Sequence, residues 1–219
     1  MHCVVTAGPT FEPLDDVRRL TNFSTGRLGT ELANHLSRKG HQVTLLLGES
    51  ATYRASTGAQ DLQIFSTTQD LFEKLSELSK TGVDAIFHAS AVSDYTFGRV
   101  WVRSSSGEMV DVRSGKISTK DGVLLAELIP TRKIIPQLRD LYPGAVIVGW
   151  KYEVEGGRED VLRLAAKQLN DCKTTACVAN GKAYGPGFGI LMADGSCKHF
   201  EDVAGLYSGL EQLLTPIND

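Results

Sequence analysis

The chain has 219 residues, 42% of them hydrophobic and 22% charged, and a formal net charge of −3. That balance suits one soluble globular domain, residues 1–219, and the small negative charge gives no electrostatic case for a nucleic-acid or anionic-membrane partner. No stretch approaches the roughly 20 apolar residues of a membrane span, and the start "MHCVVTAG" lacks the basic region and apolar run of a signal peptide.

Residues 4–7 read as a short buried strand ending at Gly8 and Pro9. A long polar loop follows, carrying Glu12, Asp15, Asp16, Arg18 and Arg19. From Gly26 apolar residues recur at three and four (Leu28, Leu32, Ala33, Leu36), which predicts a helix stopping at Gly40. "HQVTLLLG" is a second buried strand and "LQIFS" a third. Thr67 or Thr68 caps the helix "QDLFEKLSELSK", with Leu71, Leu75 and Leu78 on one stripe. "DAIFHASAV" is nearly continuous in apolar residues, as a strand buried on both faces must be.

Residues 95–123 break this rhythm. They are polar, small and glycine-rich, and read as a flexible excursion, either a mobile loop or a hairpin leaving the sheet. After "LLAELI" come a helical stretch over 131–141 with Pro136 inside it, the strand "AVIVGW", and a helix from 158 to about 170. The strand "ACVAN", a hairpin at Asp194 and Gly195, and the amphipathic helix "DVAGLYSGLEQLL" complete the chain. Of the four cysteines, Cys3, Cys172, Cys177 and Cys197, the middle two are spaced C-x4-C, which is neither a zinc nor a redox spacing. They are expected at a helix end and in a strand, in a reducing, cytoplasmic setting.

Alternating strands and helices predict an α/β fold: a doubly wound, mainly parallel, Rossmann-like sheet with helices on both faces. Ligands of such sheets bind beyond the carboxyl ends of the strands. Those ends fall at Gly8, at Ala91 to Asp94, at Gly149 to Glu153 and at Asn180.

Several residues there could carry chemistry. Gly26 and Gly29 open a helix whose unpaired amides and dipole favour an anion, and Asn22, Ser24 and Thr25 add polar groups beside them. The alternative is an N-capped helix with two packing glycines. Asp94, after the small residues of "SAVSDY", could hold a hydroxyl or Mg²⁺, or cap a turn. Lys116 lies in the excursion, where a closing loop would bring a cation to a transferring phosphoryl group. Arg18 lies in the long loop. Trp150 ends a strand and could flank a nucleotide base or fill the core, and Asn180 closes "ACVAN" similarly. The five histidines form no triad and no zinc set.

A nicotinamide-dependent reductase is the rival reading. Glu49 lies about 20 residues past the glycines, where a ribose-binding acid would stand. Against it, the first glycine of G-x-G-x-x-G is missing and the preceding loop is long. No tyrosine has a lysine four residues on, since Tyr95 is followed by Arg99 and Tyr152 by Gly156.

Five segments, in order, resemble the phosphopantothenoylcysteine synthetase family. "TAGPTFEPLDDVRRLTNFSTGRLG" is similar to its strand, Gly-Gly-Thr, Pro-centred loop and Arg-x-x-x-Asn-x-Ser-Ser-Gly-x-x-Gly. "ASAVSDY", "GKIS", "VGWKYEVE" and "CVAN" resemble its later motifs. The resemblance implies a coenzyme A biosynthesis ligase that joins 4′-phosphopantothenate to cysteine through an acyl-nucleotidylate, driven by ATP or CTP with Mg²⁺ held by the phosphates. It implies a cytoplasmic homodimer sharing its active sites, in a free-standing form without the decarboxylase fused to many bacterial members. It implies that Gly8, Ser24, Gly26 and Gly29 cradle the nucleotide, with Trp150 and Asn180 at its base or ribose. Asn22, Ser90, Ala91 and Asp94 would meet the acyl substrate, Ala91 and Asp94 reaching it from the other subunit, and Asn22, Lys116 and Arg18 would serve the chemical steps. The chain departs from the family pattern at Pro9, Thr25 and Ser90, and "PTRKII" stands where many members have Asn-Pro-Asp-Ile. Lys151 and "NFSTGR" resemble the ATP-using, eukaryotic-type members.

Overall fold

The computed structural model describes residues 1–53, 55–112, 115–118, 120 and 122–215. The first half contains β1 (His2–Ala7), β2 (Phe11–Pro13), β3 (Arg19–Thr21), α1 (Arg27–Arg38), β4 (Gln42–Gly48), β5 (Asp61–Phe65), α2 (Thr68–Leu78) and β6 (Ala85–His88). The second contains β7 (Tyr95–Arg103), β8 (Met109–Asp111), β9 (Val123–Pro130), α3 (Ile135–Leu141), β10 (Val146–Tyr152), α4 (Arg158–Cys172), β11 (Ala176–Asn180), β12 (Phe188–Met192), β13 (Cys197–Phe200) and α5 (Val203–Gln212).

The large sheet has the order β13-β12-β11-β10-β6-β1-β4-β5. All pairs from β5 to β11 are parallel, and β12 and β13 add an antiparallel edge. The winding direction reverses between β1 and β6, the switch point at which such sheets open a crevice for ligands. Side-chain alternation along β1 sorts the two faces. Val5 and Ala7 pack with Leu32 and Leu36 of α1 and Leu206 and Leu210 of α5. Val4 faces the other way, with Leu71 and Leu75 of α2 and Leu138 of α3. On β11, Cys177 and Ala179 meet Val161, Ala165 and Leu169 of α4. The helices therefore cover both faces, as the sequence pattern predicts.

The cysteine placement also follows the sequence reading: α4 ends at Cys172 and Cys177 lies in β11. All four thiols are free, and burial pushes the Cys177 thiol up to about 12. Thr67, rather than Thr68, caps α2, its hydroxyl accepting from the Asp70 amide at 3.2 Å.

Three departures bear on the site. The polar loop after β1 contains a small antiparallel hairpin, β2 with β3. The excursion takes its hairpin alternative: β8-β7-β9 form a separate antiparallel sheet that runs on to Pro130, so "LLAELI" belongs to that sheet. Val100, Val102 and Ile117 make a small core there, closed by Leu14 from the hairpin loop. Finally, α3 begins at Ile135, not at 131. Proline lacks an amide proton and its ring clashes with the carbonyl four residues back, so Pro136 fits only in the first turn.

Candidate functional site

At the switch point lies a cavity of about 680 Å³, within the roughly 300–1,000 Å³ of ordinary ligand pockets. The ten residues that the resemblance assigns to the nucleotide or the acyl substrate line it: Gly8, Asn22, Ser24, Gly26, Gly29, Ser90, Ala91, Asp94, Trp150 and Asn180. They arrive from the ends of β1, β6, β10 and β11 and from the start of α1, distant in sequence and gathered by the parallel register.

The start of α1 forms one wall. Gly26 at its N-cap has φ +79° and Gly8 has φ +81°, both in the left-handed region open mainly to glycine. At Gly29 a Cβ would lie 2.6 Å from the Ala7 Cβ and 3.0 Å from the Thr6 carbonyl oxygen. Glycine at 29 thus lets the helix sit directly on the end of β1. Gly26 at the N-cap offers no side chain, the Thr25 hydroxyl accepts only from the Arg27 amide at 3.3 Å, and the first turn holds no acidic residue, so the positive end of α1 faces the cavity without a competing anion.

The opposite wall is the segment after β6, stitched to the segment after β1. The Ala91 amide donates to the Gly8 carbonyl at 3.0 Å, and the Thr10 amide donates to the Ala91 carbonyl at 3.2 Å. The Ser93 amide donates to Thr10 Oγ1 at 2.8 Å. Asn22 Nδ2 reaches across and donates to the carbonyls of Ala91 and Val92, each at 3.2 Å. Both amide protons of Asn22 are thereby engaged, which leaves its Oδ1 as the acceptor it can offer a ligand.

Cations surround the cavity, each paired with a carboxylate. Arg27 Nε donates to Glu31 Oε1 at 2.8 Å, and Lys151 Nζ lies 2.9 Å from Glu153 Oε1. At the mouth Lys133 pairs with Asp94, both side chains more than half exposed. The local charge is thus nearly balanced, and attraction for an anion falls to the α1 amides and to partner exchange by these lysines. Three buried polar atoms in the lining lack a hydrogen-bond partner among the described residues: Ser90 Oγ, Trp150 Nε1 and Asn180 Oδ1. Trp150 and Asn180 lie on adjacent strands and the same sheet face, so they offer a donor and an acceptor side by side.

Arg18 and Lys116 stand outside this lining. Arg18 lines a second cavity of about 650 Å³ with Phe11, Arg19 and Glu49. Its guanidinium holds the fully buried carboxylate of Asp15 and donates to the Ile117 carbonyl at 2.7 Å. Asp15 in turn accepts from the Ile117 amide at 3.2 Å, and the Asp16 amide donates to the Gly115 carbonyl at 2.9 Å. The strap that carries Lys116 is therefore bound to the loop that carries Arg18. The guanidinium and backbone amides hold the Asp15 carboxyl well below the usual carboxylate range. Glu49 pairs with Arg19 at 3.8 Å and does not line the switch-point cavity, so the ribose-binding acid of the reductase reading is not where that reading needs it.

Sequence reasoning put Lys151 and Tyr152 at a ligand-binding strand end without giving either a role, and it missed Gln168 in the lining and Lys133 at the mouth. The altered "PTRKII" segment was the only signal for Lys133. It also missed Thr6 and His88, which are opposite each other in the β1–β6 register. Burial pushes the His88 imidazole down to about 4, so it is neutral near pH 7. Among the described residues, no group of three or more His, Cys, Asp or Glu is arranged to hold a metal ion, and no helix is long and apolar enough to cross a membrane.

Residues 1–194 match the model of the DNA/pantothenate metabolism flavoprotein C-terminal domain. The coenzyme A biosynthesis bifunctional protein CoaBC of Thermococcus kodakarensis is 33% identical over 184 residues, covering 83% of this chain and 42% of that protein. Its Bacillus subtilis namesake is 30% identical over 189 residues, covering 86% and 42%. The chain thus spans 42% of the length of these curated relatives. Among solved structures, the DNA/pantothenate metabolism flavoprotein from Streptococcus pneumoniae matches the fold with a TM-score of 0.82 at 24% identity, covering 98% of both chains. A Cab2 mutant in complex with phosphopantothenate-cysteine matches with a TM-score of 0.71 at 19% identity, covering 97% of this chain and 84% of that one. With its doubly wound sheet and switch-point cavity, the chain belongs to the family of the DNA/pantothenate metabolism flavoprotein C-terminal domain.

Proposed function

We propose that this chain is a phosphopantothenate–cysteine ligase. In the first step the 4′-phosphopantothenate carboxylate attacks the α-phosphorus of ATP or CTP, forming an acyl-nucleotidylate and releasing pyrophosphate. In the second the cysteine amine attacks the acyl carbon, forming the amide, expelling the nucleoside monophosphate and losing a proton. Neither step needs a side-chain nucleophile. The work is positioning and charge stabilisation.

The observation that carries the reading is the pairing of a glycine-capped α1 start, free of acidic residues, with the unpartnered Trp150 Nε1 and Asn180 Oδ1 in one cavity. A buried donor and acceptor left unpaired cost about 1–3 kcal/mol each, and a nucleotide base or ribose edge can satisfy both. The triphosphate then lies along Ser24, Gly26 and Gly29, with Gly8 beneath it. The acyl substrate lies against Asn22, Ser90, Ala91 and Asp94. Lys116 and Arg18 reach the reacting phosphorus by joint movement of the strap and the loop bound to it. Mg²⁺ fits as an ion carried by the phosphates, because the lining offers the carboxylate of Asp94 and no acidic cluster; it supplies charge neutralisation to the leaving pyrophosphate.

We read residues 1–219 as one catalytic unit, cytoplasmic, acting as a homodimer. Phe23 is fully exposed beside the cavity, and Tyr95 and Leu128 are exposed on one face of the three-stranded sheet, apolar groups suited to meeting a second copy. The test is product formation. Incubated with 4′-phosphopantothenate, cysteine, Mg²⁺ and either nucleotide, the protein is expected to yield a species with the mass of phosphopantothenoylcysteine. Absence of that species with both nucleotides refutes the reading.

A further inference from the structure

Thr6 and His88 are both buried, face each other across the β1–β6 ladder, and take no part in lining the cavity. His88 Nδ1 lies 3.0 Å from Thr6 Oγ1, and the same Oγ1 accepts from the Ser90 amide at 3.1 Å. A threonine hydroxyl has one proton and two lone pairs. The Ser90 amide is a donor, so that bond consumes a lone pair. That leaves the hydroxyl with its proton and one lone pair for His88 Nδ1, so the ring tautomer sets the direction of this bond.

The bond has a consequence one residue on. Ser90 leads into Ala91, whose carbonyl receives the Thr10 amide and Asn22 Nδ2, and whose amide donates to Gly8. Tilting the Ser90 peptide would tilt the carbonyls that hold Asn22. Thr6 also shares the sheet face of Val4, under α2 and α3, whereas α1 packs on the other face. The hydroxyl can therefore influence the Ser90–Ala91 wall without touching the start of α1.

We infer that Thr6 and His88 form a buried positioning pair: His88 Nδ1 accepts the Thr6 hydroxyl proton and so orients the hydroxyl, which fixes the Ser90 amide and with it the Ala91 and Val92 carbonyls that seat Asn22. The pair acts chiefly on the acyl side of the cavity; on the nucleotide side it reaches Gly8 through the Ala91 amide and does not reach the start of α1. This rests on the ligase reading for which substrate lies on which side.

The experiment has two arms. In steady-state kinetics of the full chain, Thr6→Val and His88→Phe are expected to raise KM for 4′-phosphopantothenate about fivefold, the equivalent of one ordinary hydrogen bond, with KM for the nucleotide within about twofold. The double variant is expected to be no worse than the poorer single variant, because the two side chains act in series. Thr6→Ser, which keeps the hydroxyl, is expected to recover most of the loss. Equal rises in both KM values, or a lowered melting temperature with unchanged KM values, overturn the inference. In the second arm, ¹⁵N NMR of the wild-type His88 ring is expected to show Nδ1 unprotonated and Nε2 protonated. A proton on Nδ1 overturns the inference even where the variants fail to fold. Lack of wild-type turnover strikes the ligase reading instead, since the ring spectrum needs no activity.

Discussion

Asn22 and Ala91, 69 residues apart, are joined through Asn22 Nδ2 and the Ala91 carbonyl at 3.2 Å, and a second bond of the same length runs to Val92. An aspartate at 22 has no proton to give either carbonyl, and its charge would face two oxygens. Asn22→Asp is therefore expected to lower turnover roughly tenfold to a hundredfold, with the far-UV circular dichroism spectrum unchanged. A rate within twofold of wild type would remove Asn22 from the site.

Gly29 sits where α1 touches β1, with no room for a Cβ beside Ala7. Gly29→Ala is expected to cost about 1–3 kcal/mol by overpacking, a fall in melting temperature of roughly 2–12 °C for a chain of this size. Thermal melts check this. A melting temperature equal to that of wild type would show that the helix can slide without loss.

The buried Asp15 carboxylate is held by Arg18 and the Ile117 amide, and its folded pKa lies below its unfolded value of about 3.9. Its contribution to stability is complete above that unfolded value and is lost as pH falls through the folded one. Asp15→Asn is therefore expected to give a flatter decline of melting temperature below about pH 4 than wild type. Parallel declines would mean that the ionised Asp15 does not hold the strap.

Lys133 and Asp94 form an exposed pair at the mouth of the cavity. Such pairs contribute about 0–1 kcal/mol, so Lys133→Ala is expected to leave the melting temperature nearly unchanged. It also leaves Asp94 without its partner where an anionic substrate enters. KM for 4′-phosphopantothenate is expected to rise severalfold, more at low salt than at high salt. A KM unchanged at low ionic strength would contradict this.

Lys116 is carried on the strap clamped by Arg18, next to Ile117 of the small core. Lys116→Gln keeps the length and removes the charge. It is expected to slow nucleotidylate formation at least tenfold, measured as pyrophosphate released before cysteine is added, with the melting temperature unaltered. Unchanged release would take Lys116 out of the chemistry.

The central strands were legible because burial on both faces leaves runs such as "DAIFHASAV" without polar interruption, and the strand ends fall where glycine and small polar residues punctuate the chain. Those strand ends and the family resemblance together named ten residues that line one cavity, although Ala91 and Asp94, expected from a second subunit, line the same chain's cavity as Asn22. The β7–β9 sheet was harder to read. It leaves Tyr95, Val123 and Leu128 exposed, so its pattern lacks the clean apolar alternation of a packed strand. Pro136 was legible as a helix residue, but only its clash with the preceding turn fixes the helix start at 135. Lys133 beside Asp94, Arg18 beside Ile117 and Thr6 beside His88 depend on pairing across 39 or more residues, for which one sequence holds no local signal.

The most direct measurement is pyrophosphate release by the wild-type chain, with ATP and with CTP, as phosphopantothenate and cysteine are added in turn. The ligase account predicts release that requires phosphopantothenate, and sustained turnover with an equal yield of the cysteine amide once cysteine is present. No release with either nucleotide, or oxidation of NADPH by the same preparation, would contradict it.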